Sequence, residues 1–70
     1  MATVILDSMC NVKETREMIE EAGYISCKVE ECGVACNGWY EVKLIDDPYV
    51  LEQIIIELWD DADLTEYIVD

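Results

Sequence analysis

The amino-acid sequence predicts an α+β fold of ferredoxin-like βαββαβ topology, with a four-stranded antiparallel sheet carrying two helices on one face. Three observations predict it. Residues 11–23 read as a capped amphipathic helix, 24–31 and 39–46 alternate as two strands joined by a glycine-containing turn, and Asp47-Pro48 opens a second helix. The closing "TEYIVD" (65–70) supplies the fourth strand.

The first element is the β-branched run "TVILDS" (3–8), read as a strand. Asn11 then caps a helix, Glu14 stands three residues on as in a capping box, and Gly23 provides the stop. Val12, Thr15, Met18, Ile19 and Ala22 recur at helical spacing, and Lys13/Glu17 and Arg16/Glu20 are opposite-charge neighbours on the outer face. In "YISCKVEE" (24–31), Ile25, Cys27 and Val29 fall on one face; in "WYEVKLID" (39–46), Tyr40, Val42 and Leu44 do. The linking "CGVACNG" holds two glycines and an Asn-Gly pair, which predicts a hairpin with a long turn. Asp47 is the expected N-cap and Pro48 the first helical residue of a helix reaching about Asp60, with Leu51, Ile54, Ile55 and Leu58 toward the sheet. The other sheet face would then be open, with Ile5, Trp39, Ile45 and Ile68 on it, a contiguous patch that a monomer usually avoids.

At 70 residues the chain forms one domain (1–70), and at 53% hydrophobic it has the material for a core. Its charge is the unusual property. Seventeen Asp and Glu against four Lys and Arg give a formal net charge of −13, beyond what solubility requires of a small domain. Such self-repulsion opposes folding. Direct binding to nucleic acid or to an anionic membrane runs on Lys and Arg and is not expected; a basic protein surface is the natural complement. "MATVILDSMC" lacks a basic segment and a long apolar run, and no span approaches the ~20 residues of a membrane helix, so a soluble cytoplasmic protein is expected.

Cys10, Cys27, Cys32 and Cys36 are read as reduced thiols in that setting. Zinc calls for closely spaced thiolate pairs; Cys32 and Cys36 make one, Cys10 and Cys27 do not make a second, and the chain has no His. The run "DADLTE" (61–66) begins like a calcium loop but lacks the turn Gly and a twelfth-position Glu. Without His, a Gly-rich phosphate loop or a distinctive carboxylate pair, no enzyme chemistry and no cofactor are expected.

The final fourteen residues, "ELWDDADLTEYIVD", hold six carboxylates and no basic residue, interleaved with Trp59, Leu64, Tyr67 and Ile68. A merely solvating tail is poor in such residues, so the charge is expected on a folded surface. Trp59 and Val50 flank the sheet-facing stripe of the second helix, and Tyr49 and Ile56 fall on the opposite side among Glu52, Gln53 and Asp60, as apolar anchors with a charged rim. Eight residues, Tyr49, Glu52, Ile56, Glu57, Trp59, Asp60, Asp61 and Asp63, are the candidate partner-binding site. Carboxylates at helical spacing stand about 5–6 Å apart and imitate a row of phosphates. In size, charge and compactness the chain is similar in general profile to the small acidic inhibitors of viruses that infect bacteria, including anti-CRISPR and other DNA-mimic proteins. That similarity implies a partner that is a basic nucleic-acid-binding protein or complex, and action in the host cytoplasm. Two further readings follow from the same residues: a regulatory or ligand-binding module that homodimerises through Ile5, Ile45 and Ile68, and a thiolate metal-binding protein.

Overall fold

The computed structural model describes residues 1–34 and 38–70. In chain order it contains β1 (Ala2–Ser8), α1 (Val12–Glu21), β2 (Lys28–Val34), β3 (Tyr40–Asp46) and α2 (Pro48–Ile54). One π-helical turn (Ile55–Trp59) continues α2, and a 3₁₀ helix (Ala62–Tyr67) follows. The sheet has three strands in the order β1-β3-β2, and β3 runs antiparallel to both neighbours. Hence β1 and β2 are parallel to each other, with α1 connecting them.

Strand alternation sorts the side chains. Val4, Leu6, Val29, Val42 and Leu44 point to one face and join Ile19, Leu51, Ile54 and Ile55 in a single buried cluster. Both helices therefore cover that face. Burial of a Leu or Ile side chain stabilises by about 1.5–3 kcal/mol, and Ile19, Leu44, Leu51, Ile54 and Ile55 are all 0% exposed. The opposite face carries Thr3, Ile5 and Asp7 on β1 and Glu41, Lys43 and Ile45 on β3, all half-buried or exposed.

The helix ends follow the side-chain chemistry of their caps. Asn11 Oδ1 accepts from the Glu14 N–H at 2.9 Å, and Asp47 Oδ1 accepts from the Tyr49 N–H at 2.9 Å with Pro48 at the first helical position. At the far end of α1, Gly23 takes φ 101°. There the Gly23 N–H donates to Glu20 O at 3.0 Å and the Tyr24 N–H to Ile19 O at 3.2 Å, a Schellman closure. Ser8 and Thr15, both buried, join β1 to α1 through a 2.9 Å hydroxyl pair, while the Cys10 N–H donates to Ser8 Oγ and Thr15 Oγ1 donates to Cys10 O.

Three sequence expectations are corrected. The ferredoxin-like four-stranded sheet does not form: the segment expected to be the fourth strand is mostly 3₁₀ helix, and only Val69 reaches β1, in one antiparallel bridge with Thr3. Local side-chain bonds decide this. Asp61 Oδ1 accepts from the Asp63 N–H, and Thr65 Oγ1 donates to Ala62 O at 2.7 Å. Leu64 and Ile68, four apart, then both pack on the core, a spacing that suits a helical turn. Ile68 consequently faces the core and Val69 is exposed, the reverse of the expected alternation.

Second, β2 begins at Lys28 instead of Tyr24. The Schellman closure draws Tyr24 back over α1, and Ile25 is 81% exposed rather than inward. Tyr40, also expected inward, is 37% exposed at the start of β3. The register of β2 slips between Glu31 and Gly33, leaving Cys32 in a bulge; Cys36 and Asn37 of the predicted turn lie outside the described residues. Third, the second helix does reach Trp59, but its last turn has widened.

Candidate protein-binding surface

Every Asp and Glu is exposed except Asp46, which is buried, and Glu41, which is half-buried. Asp46 has a structural role: it accepts from Ser26 Oγ at 2.8 Å and from the Asp47 N–H at 2.7 Å, fixing the turn from β3 into α2. The remaining carboxylates form the outer surface of a body with extents of 29 × 24 × 20 Å.

The eight residues singled out in the sequence do not play one role. Tyr49 and Ile56 are exposed on the helix, at 68% and 46%, with Glu52 and Glu57 exposed beside them. Trp59 differs. It is half-buried, packs against the core, and donates from Nε1 to the Asp7 carbonyl at 2.8 Å, so it is a wedge between helix and strand and not a protruding anchor. Within the wide turn over Ile55–Trp59, Ile55 is fully buried, Leu58 and Trp59 are both half-buried, and Ile56 and Glu57 stay at the surface. Such single π turns inside helices often mark functional positions.

The three aspartates after the helix are held by backbone geometry. Asp60 takes the left-handed conformation, φ 52° and ψ 38°, the one described non-glycine residue with positive φ. Its carboxylate also stands at the C-terminal end of a helix, where the dipole favours a cation. Asp61 caps the 3₁₀ helix, and Asp63 is in that helix's first turn, where negative charge is favoured. Glu57 accepts from the Tyr24 hydroxyl at 2.5 Å, tying the acidic helix to the end of α1. That bond, then desolvation and the Glu57 charge, holds the Tyr24 phenol above its usual 10.0.

Beside this acidic corner are two grooves that sequence reasoning missed. One, of about 440 Å³, is lined by Ile5, Asp7, Asp61, Leu64 and Tyr67; the other, of about 360 Å³, by Met9, Cys10, Met18 and Leu58. Both also touch Trp39 and Trp59. The available signal was the presence of two tryptophans in so short a chain, since Trp is among the residue types enriched at binding hot spots. On the open sheet face, Ile5 is 50% and Trp39 42% exposed.

The thiols are separated by environment. Cys27 is buried, Cys10 half-buried and Cys32 exposed. Burial, with Asp46 nearby, pushes the Cys27 thiol up to about 11. Among the described residues no group of three or more Cys, Asp or Glu is placed to hold a metal ion, and the calcium-like run 61–66 is helix-capping in its hydrogen bonds. Among the described residues no helix is long and apolar enough to cross a membrane.

No protein-family model, no characterised protein and no solved structure matches this chain.

Proposed function

We propose that this protein is a small acidic inhibitor that binds a basic, nucleic-acid-binding protein or complex and occupies its nucleic-acid groove. The mechanism is occlusion and involves no catalytic step or cofactor. A viral anti-defence factor, anti-CRISPR-like in mode and acting in the host cytoplasm, fits this reading.

The observation that carries it is the position of Asp60. A helix C-terminus disfavours a carboxylate there, and Gly or Asn would close the left-handed cap without the charge. Glu57, Asp61 and Asp63 are exposed around it on a chain already at −13. A charge standing where the helix end disfavours it fits a role in binding, as in other trade-offs between stability and function. The rigid caps of Asp61 and the Tyr24–Glu57 bond reduce the ordering cost of association.

The test has two stages. Immobilised protein captures basic partners from bacterial lysate at low salt, and each captured partner is purified and assayed for DNA binding with and without the inhibitor. The expected result is loss of DNA binding, weaker as ionic strength rises, and abolished by the combined substitutions Glu57→Lys, Asp60→Lys, Asp61→Lys and Asp63→Lys. A partner that keeps its DNA while bound, or a fourfold variant that inhibits equally well, sinks the proposal.

A further inference from the structure

The edge of β1 away from β3 is capped at two points, by Val69 at Thr3 and by Trp59 at Asp7. In an antiparallel sheet successive residues direct their backbone groups to alternate edges. Thr3 exchanges two 2.8 Å bonds with Val69, so its N–H and C=O point away from β3. The same alternation turns the backbone groups of Ile5 and Asp7 outward. Trp59 Nε1, donating to the Asp7 carbonyl, confirms that phase independently. What remains between the two caps is the N–H and C=O of Ile5 and the N–H of Asp7, none of which has a partner among the described residues.

The other edge of the sheet is treated differently. On β2 the outward carbonyl of Val29 accepts from Arg16 Nη2 at 2.9 Å, so α1 covers that edge with a cation. On β1 the 3₁₀ helix veers away before it can pair with Ile5, and the vacated space is the 440 Å³ groove. Backbone donors and an acceptor therefore line a groove that also offers exposed apolar and aromatic surface at Ile5, Trp39 and Tyr67.

We infer that this groove binds an extended basic segment of the partner protein, three or four residues long, which adds to the sheet by pairing with Ile5. The inference takes the partner's charge from the functional reading above and its conformation from β1 alone. Charge complementarity sets the composition: Asp7 and Asp61 line the groove, Asp60 and Asp63 lie beside Asp61 in sequence, and the one basic neighbour, Lys43, stands opposite Ile5 on β3, on the side away from the free edge. Alternation sets the pattern: the residue opposite Ile5 is apolar, and the residue two positions away, which shares its face and stands opposite Asp7, is Lys or Arg. A second copy of this chain does not fit. Symmetric pairing about Ile5 would set each Thr3 opposite the other chain's Asp7, but Thr3 is already bonded to Val69, and both copies carry −13.

The experiment is amide NMR of the ¹⁵N-labelled full chain titrated with the six-residue peptide Lys-Thr-Val-Thr-Lys-Thr, whose Val and Lys side chains share one face, and with the same peptide N-methylated at its valine. The expected result is that the Ile5 and Asp7 amide signals and the Trp59 indole N–H shift, and that N-methylation weakens binding at least tenfold at unchanged charge. Equal binding of the two peptides, or shifts confined to residues 49–63 with Ile5 unmoved, overturns strand addition and reduces the interaction to charge alone. A dimer of the chain in native mass spectrometry, displaced by neither peptide, overturns the choice of occupant. The titration is read separately from the functional reading, because it uses the peptide alone: a captured partner that keeps its DNA sinks the inhibitor and leaves the N-methylation effect at Ile5 standing, and equal binding of the two peptides sinks strand addition and leaves inhibition standing.

Discussion

The indole N–H of Trp59 donates to the main-chain carbonyl of Asp7 at 2.8 Å, across 52 residues of sequence. This bond joins the end of the acidic helix to the exposed edge of the sheet. Through it the carboxylates of the helix exit and the groove beside β1 become one rigid corner.

Trp59→Phe keeps an aromatic ring but removes the donor. The expected loss is about 1 kcal/mol of folding stability, the net worth of one hydrogen bond, measured by urea unfolding. The Ile5 and Asp7 amides should also exchange faster with solvent. An unchanged midpoint and unchanged exchange would show that the bond holds nothing.

Asp60→Gly and Asp60→Asn are expected to stabilise the fold by about 0.5–1 kcal/mol, because each suits the left-handed cap better and removes a carboxylate from the negative end of a helix. Inhibition should weaken in both. A stabilised variant with full inhibition would show that the position is merely suboptimal.

Gly23→Ala is expected to destabilise by about 1 kcal/mol. A Cβ at this position meets nothing within 4 Å, so the whole effect comes from φ 101°. Thermal or urea unfolding measures it, and a neutral result would mean that the Schellman turn has relaxed.

Cys32 should react fastest with a thiol reagent at pH 8, Cys10 more slowly, and Cys27 only on unfolding, as read by mass spectrometry of labelled peptides. The Cys27 thiol has its folded-state pKa raised from 9.0 to about 11, so the fold favours the neutral form. Its contribution to stability is fully present below about pH 9 and is lost as pH rises through about 11. Tyr24, also raised above 10.0, acts in the same direction. Cys27→Ala should flatten part of the alkaline fall in stability; an unchanged curve would assign it elsewhere.

Local signals were legible where a side chain acts on its own neighbours. Asn11, Asp47 and Pro48 opened helices as their chemistry requires, and Gly23 closed one. Alternation located the inward residues of β1 and the buried positions Val42 and Leu44 of β3. The end of the chain was misread because "TEYIVD" carries two competing patterns. Its β-branched residues suit a strand, while Asp61 and Thr65 supply the side-chain bonds that close a 3₁₀ turn. Of the candidate site, Tyr49, Ile56 and the carboxylates were exposed as their helical positions required, and Trp59, four residues after buried Ile55, was half-buried at the flank of the inward stripe; its bond to the Asp7 carbonyl was not legible, because it joins segments 52 residues apart.

By itself, the sequence determined the charge, the cap residues and the apolar stripes, since each depends on residue identity and spacing along the chain. Tertiary structure alone decided that the fourth strand would be reduced to the Val69 bridge, that Trp39 and Trp59 would meet beside Asp7, and that the outward backbone groups of Ile5 would find no partner among the described residues. Those outcomes turn on competition between local capping bonds and pairing across more than fifty residues, and that balance is struck only when the core has brought both segments together.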